Sequence, residues 1–113
     1  IFVWLRKVLD KVSYPLGSVI DHHLRGILND DPENVIENDP KRFFEAFKQA
    51  FNMSDDEVFN MLKIVISTIA RKFPQEFGEG TELIIKIVDG FKYGDKERVK
   101  IFVQIMKRIA EKI

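Results

Sequence analysis

Apolar residues recur along this chain at helical spacing, and nowhere do they alternate with period two long enough to make a strand. Ile1, Leu5, Val8 and Val12 fall at intervals of four, three and four, which predicts a first helix over residues 2–12. Ser13-Tyr14-Pro15-Leu16-Gly17 breaks that pattern, and Val19, Ile20, His23, Leu24, Ile27 and Leu28 predict a second helix over 18–29. Asp31-Pro32 restarts a short turn, and Asp39-Pro40 launches a helix that runs to Phe51. Each pair sets an N-cap acid before a proline at the first helical position. Ser54-Asp55-Asp56-Glu57 is a capping box, and Phe73-Pro74 stops the helix it opens. After a connector with two glycines, Thr81 caps a helix over about 82–91. Gly94 is placed for a left-handed C-terminal residue, and Asp95 caps the last helix.

The segment between Ser54 and Phe73 is apolar almost all the way round, with Asn60, Lys63, Ser67 and Arg71 as a narrow polar strip. A helix apolar on all sides is a buried helix. The pattern therefore predicts an all-α fold, a compact bundle of about five main helices around this central one, in a single domain over residues 1–113. Residues 1–12, set off by Pro15 and Gly17, form a helix able to dock separately. Its apolar face of Trp4, Leu5, Val8, Leu9 and Val12 is a candidate partner interface, with Trp4 as the anchor. Self-association as a homodimer through that face is the expectation.

Composition narrows the choices. The 18 basic and 18 acidic side chains cancel, which removes the usual electrostatic argument for a nucleic-acid or anionic-membrane partner. The absence of cysteine excludes disulfides and thiolate chemistry. No apolar run approaches the roughly 18 residues of a membrane span. The opening Ile1–Leu5 is too short for a signal peptide or anchor, and a chain that opens on isoleucine is expected to have sequence upstream. Charge rich in Lys and Glu, together with Ile-heavy packing, leans towards a thermophilic, cytosolic source.

Candidate chemistry is sparse. Asp21-His22-His23 offers metal-ligating groups, but neighbouring helix residues point about 100° apart, and helical ligand pairs sit at i, i+3 or i, i+4. Asp21 reads better as the i, i+4 partner of Arg25. Asp30, Asp31, Glu33, Glu37 and Asp39 cluster without a basic residue, yet lack the glycine and register of a calcium loop. Neither a nucleophile elbow nor a phosphate loop is present, so no catalytic, metal or cofactor-binding residue is assigned. Phe43, Phe44, Phe47 and Phe51 form a stripe that is either plain core or the lining of an apolar pocket. The last helix carries Lys100, Lys107 and Arg108, the sole basis for a nucleic-acid accessory role.

From Asn38-Asp39-Pro40 through Phe43-Phe44-Glu45-Ala46-Phe47, Ala50-Phe51 and Ala70-Arg71-Lys72-Phe73, the chain resembles small archaeal all-helical domains proposed as output modules of signal-transduction proteins. The resemblance covers residues 31–73. It implies an interaction or regulatory module and supplies no catalytic residue. The expected function is accordingly a non-enzymatic module working through helix–helix contacts. A protein partner or self-association, no cofactor and no membrane span belong to that expectation. The alternatives are an apolar-ligand domain built on the phenylalanines and a nucleic-acid accessory subunit.

Overall fold

Some helices in this chain begin at a cap that the sequence supplies, and others have their ends completed by a neighbouring helix. The computed structural model describes residues 3–78 and 80–113. Ile1 and Phe2, the expected start of the first helix, and Glu79 of the connector lie outside the described residues. Within them the chain forms eight helices and no strand: α1 (Trp4–Ser13), α2 (Leu16–Leu28), α3 (Pro32–Asn38), α4 (Pro40–Phe51), α5 (Asp55–Lys72), α6 (Pro74–Phe77), α7 (Glu82–Tyr93) and α8 (Lys96–Lys112). The expected count of about five main helices is too low. The turn after Asp31 propagates into a seven-residue helix, and Pro74 opens a further turn of helix where a loop was expected.

Several starts are capped locally. The Glu57 amide donates to Ser54 Oγ at 3.2 Å and the Ser54 amide to Glu57 Oε1 at 2.9 Å, completing the capping box. Asp95 accepts from the amides of Glu97 and Arg98, and Asp39 from that of Arg42. Gly94, at φ 72°, closes α7. Thr81 and Asp31 hold their N-cap positions without a side-chain cap bond, and Asp31 turns instead to Arg25.

Other helix ends are completed from across the fold. The first turns of α1 and α2 have no cap of their own. The Leu5 amide donates to Glu33 Oε2 of α3 at 3.2 Å, and Asp10 of α1 accepts from the Ser18 amide and hydroxyl at 3.0 and 2.6 Å. At C-termini, Lys7 donates to the Ala110 carbonyl of α8, Arg42 to Leu28 of α2 and Lys41 to Lys92 of α7. Each contact answers a backbone group left over by the helix and matches the sign of its dipole.

The Ser54–Phe73 segment is not the buried centre. α5 buries Val58, Leu62, Ile66 and Ile69 on one stripe, while Asn60, Lys63 and Arg71 face out and Ile64 is 60% exposed. Desolvating that polar strip would cost more than covering one isoleucine gains, so the helix lies on the outside. The more enclosed helix is α8, with Val99, Phe102, Val103, Ile105, Met106, Ile109 and Ala110 buried against α7, α1, α3 and α6.

The first helix is likewise no separate arm. Trp4, Leu5, Val8 and Leu9 are buried in the chain's own core and Val12 is half-buried against it. The face expected to meet a partner is thereby occupied. The reason is the connection. α2 starts only two residues after α1 ends, and Gly17 lies inside α2 rather than in a break, so close to α1 that a Cβ there would sit 2.3 Å from the Arg6 carbonyl oxygen. From Trp4 a chain of edge-on and tilted rings crosses the core through Phe102, Phe91, Phe43, Phe47 and Phe51, at centroid separations of 4.8–6.2 Å.

Candidate functional site

An open apolar groove forms where α2, α4 and α5 meet. α2 contributes Leu16, Val19 and Ile20 at i, i+3 and i+4; α4 ends in Phe47 and Phe51; α5 adds Met61 and Val65. Asn52, at φ 52°, reverses the chain between α4 and α5 and so brings Met53 to the same place. Asparagine tolerates that left-handed backbone better than most residues with a Cβ. The groove encloses about 140 Å³, and all its lining side chains are apolar. Val19 is 41% exposed. The His23 ring stands edge-on to Phe51 at 5.5 Å, with His22 a further 5.6 Å along. The histidine pair thus flanks apolar surface, and no group of three or more metal-ligating side chains occurs among the described residues.

The four phenylalanines of the α4 stripe do not converge on one pocket. Phe43 and Phe47 border a small internal cavity, Phe47 and Phe51 line the groove, and Phe44 is buried apart from both linings. The internal cavity holds about 30 Å³ and has only apolar walls. It is far below the roughly 300 Å³ of a small-molecule site, and it offers no polar group to hold a water.

Charge on the outside is largely neutralised in place. Lys107 pairs with Glu37 at 3.0 Å, while Arg108 and Lys112 both reach Glu76, at 3.0 and 2.6 Å. Lys112 first and Arg108 second hold the Glu76 carboxyl below its ordinary pKa. Lys100 borders an open depression with Lys86, Arg98 and Glu97, but Arg98 leans on Asp95 at 3.4 Å. The basic face expected on the last helix is thus reduced to a few side chains. The carboxylates of residues 30–39 are similarly engaged: Asp30 accepts from the Asp31 amide and the Asn34 side chain, Asp31 binds Arg25, and Glu37 binds Lys107. Asp21 meets Arg25 at 2.7 Å as the spacing predicts. Asp21 and then Asp31 raise the Arg25 pKa above its usual value.

Glu33 is the more deeply buried of two buried acids among the described residues, 3% exposed against 8% for Asp21, and its Oε1 lacks a partner among them. Burial first, with the nearby Asp21 charge adding to it, pushes its pKa up against the backbone amides that pull it down. Between the ordinary carboxylate range and that raised value, the folded chain holds a proton that the unfolded chain has released. Stability from this group therefore falls as pH rises through the window. Melting curves of the natural chain and Glu33→Gln from pH 4 to 8 test this. The variant's melting temperature is expected to gain on the natural chain's as pH rises; a pH-independent difference would contradict it.

Of the groove's lining, only Phe47 and Phe51 belong to the pocket expected from the sequence; Leu16 and Met53 fall in segments that read as breaks, and Val19 and Met61 read as core. No family model, curated protein or solved structure matches the chain.

Proposed function

We propose that this chain is a non-enzymatic interaction module that seats the apolar face of a partner helix in the groove between α2, α4 and α5. The groove itself carries the reading: it is open, wholly apolar in lining, and includes two methionines. Unbranched thioether side chains adapt to the shape of an incoming surface, and grooves of this kind accept helices through anchors at i, i+3, i+4 and i+7. The resemblance of residues 31–73 to output modules of signal-transduction proteins supports the same class. A cytosolic, thermophilic setting remains part of the proposal on composition alone. No helix among the described residues is long and apolar enough to cross a membrane.

The three methionines make the test internally controlled. Met53 and Met61 lie in the groove, whereas Met106 is fully buried in α8. A leucine–lysine amphipathic peptide with anchors at helical spacing is titrated against methyl-labelled protein. The Met53 and Met61 methyl signals are expected to shift while Met106 stays still. Val19→Lys, at an exposed position, should weaken binding at least tenfold. Equal shifts with a scrambled peptide of the same composition, or none at millimolar peptide, would refute the reading.

A further inference from the structure

The outer face of α5 is a different surface from the groove, and it has a symmetry of its own. Glu57, Asn60, Ile64 and Arg71 are exposed and Thr68 is half-buried. Their spacing is three, four, four and three, so the strip reads alike in both directions about Ile64. What changes on reversal is the charge. Seven residues before Ile64 stands Glu57 and seven after it Arg71; eight before stands Asp56 and eight after it Lys72. At about 1.5 Å per residue, Glu57 and Arg71 each lie roughly 10 Å from Ile64 along the axis.

We propose that two copies of this chain associate through this face, their α5 helices antiparallel about a two-fold axis at Ile64. Such an axis is isologous, so every contact occurs twice. Ile64 meets Ile64 of the second copy, Asn60 meets Thr68 and Glu57 meets Arg71, while Asp56 and Lys72 flank the ends of the seam and add to the opposite charge there. A parallel arrangement would set acid on acid and base on base, so charge selects the antiparallel one. Thr68 Oγ1 donates to the Ile64 carbonyl at 2.8 Å and accepts from Arg71 at 3.3 Å, bonds made within α5 itself. Asp56, Arg71 and Lys72 form no ion pair among the described residues, and Glu57 uses only Oε1 in its capping box. Ile64 is 60% exposed at the centre of the strip. Beside it, Ser67 helps to line a shallow depression with Asn60, Lys63 and Arg71, room for the isoleucine of the other copy. One helix from each side buries less than the roughly 1,200 Å² of standard stable complexes, so the dimer is weak and concentration-dependent. It stands or falls independently of the groove.

Sedimentation equilibrium from about 20 µM to 1 mM decides it, using the full chain and two charge-swapped forms. The natural chain is expected to move from the mass of one chain towards two. Arg71→Glu with Lys72→Glu makes the strip acidic at both ends, and Asp56→Lys with Glu57→Lys makes it basic at both. Each form alone should associate at least tenfold more weakly, whereas their equimolar mixture should dimerise at least as well as the natural chain at low salt. If circular dichroism shows the basic form unfolded through loss of its capping box, Ile64→Lys replaces it and must abolish association by placing two lysines on the axis. A natural chain monomeral at 1 mM, swapped forms that dimerise alone, or a mixture that stays monomeric would overturn the proposal. So would a concentration-dependent shift of the Met53 methyl, which marks self-occupancy of the groove instead.

Discussion

Replacing Trp4 with alanine is expected to cost about 3–5 kcal/mol of unfolding free energy. The indole is 1% exposed and stands edge-on to Phe102 at 6.2 Å, so truncation removes a large buried surface and leaves a cavity between α1 and α8. Domains of this kind are stable by only about 5–15 kcal/mol, so the variant would lose from about a fifth of that to nearly all of it. Urea denaturation followed by far-ultraviolet circular dichroism measures the effect as a lower midpoint at an unchanged slope. A loss under about 1 kcal/mol would mean that Trp4 is not packed in the core.

Gly17→Ala is expected to be nearly as damaging, for the opposite reason. On helix propensity alone, alanine would gain about 1 kcal/mol at a helical glycine. At Gly17 the new methyl would stand 2.3 Å from the Arg6 carbonyl oxygen and 2.9 Å from its Cα. Both are backbone atoms, and no rotamer change relieves them. α1 and α2 would have to separate, at an overall loss of about 2–4 kcal/mol, the upper range for overpacking. Gly26, in the same helix, is the control: a Cβ there meets nothing within 4 Å. Gly26→Ala should therefore be neutral or stabilising by up to about 1 kcal/mol. Equal effects at the two glycines would show that propensity, not contact with Arg6, governs the site.

These contrasts mark how far the sequence was legible. Several signals confined to a few neighbouring residues read correctly: the Ser54–Glu57 box, the Asp95 cap, Gly94 and the Asp21–Arg25 pair each occur as their spacing implies, whereas Asp31 and Thr81 make no side-chain cap bond and Gly17 continues a helix. What misled was burial. Phe59, Met61, Ile64 and Val65 made α5 look apolar all round, yet whether a stripe is covered depends on which helices arrive to cover it. Those partners lie outside the segment itself, α7 above all. The same holds for the cross-fold caps, since nothing around Leu5 announces a carboxylate 28 residues onward. The groove is illegible for this reason too. It is the gap left when three helices meet, and although the members on each helix share a helical spacing, nothing local says that the three sets face one another. The aromatic stripe of α4 was visible, but its division between core, cavity and groove was not.

The Glu33 contact has a consequence for the order in which the chain opens. Amides in the first turn of a helix ordinarily exchange with solvent early. Here the Leu5 amide is bound to α3, the Lys7 side chain reaches α8, and Asp10 holds the start of α2. α1 cannot loosen without releasing all three neighbours. In native-state hydrogen exchange, the amides of Val8 and Leu9 should accordingly share the slow, globally governed class of α8.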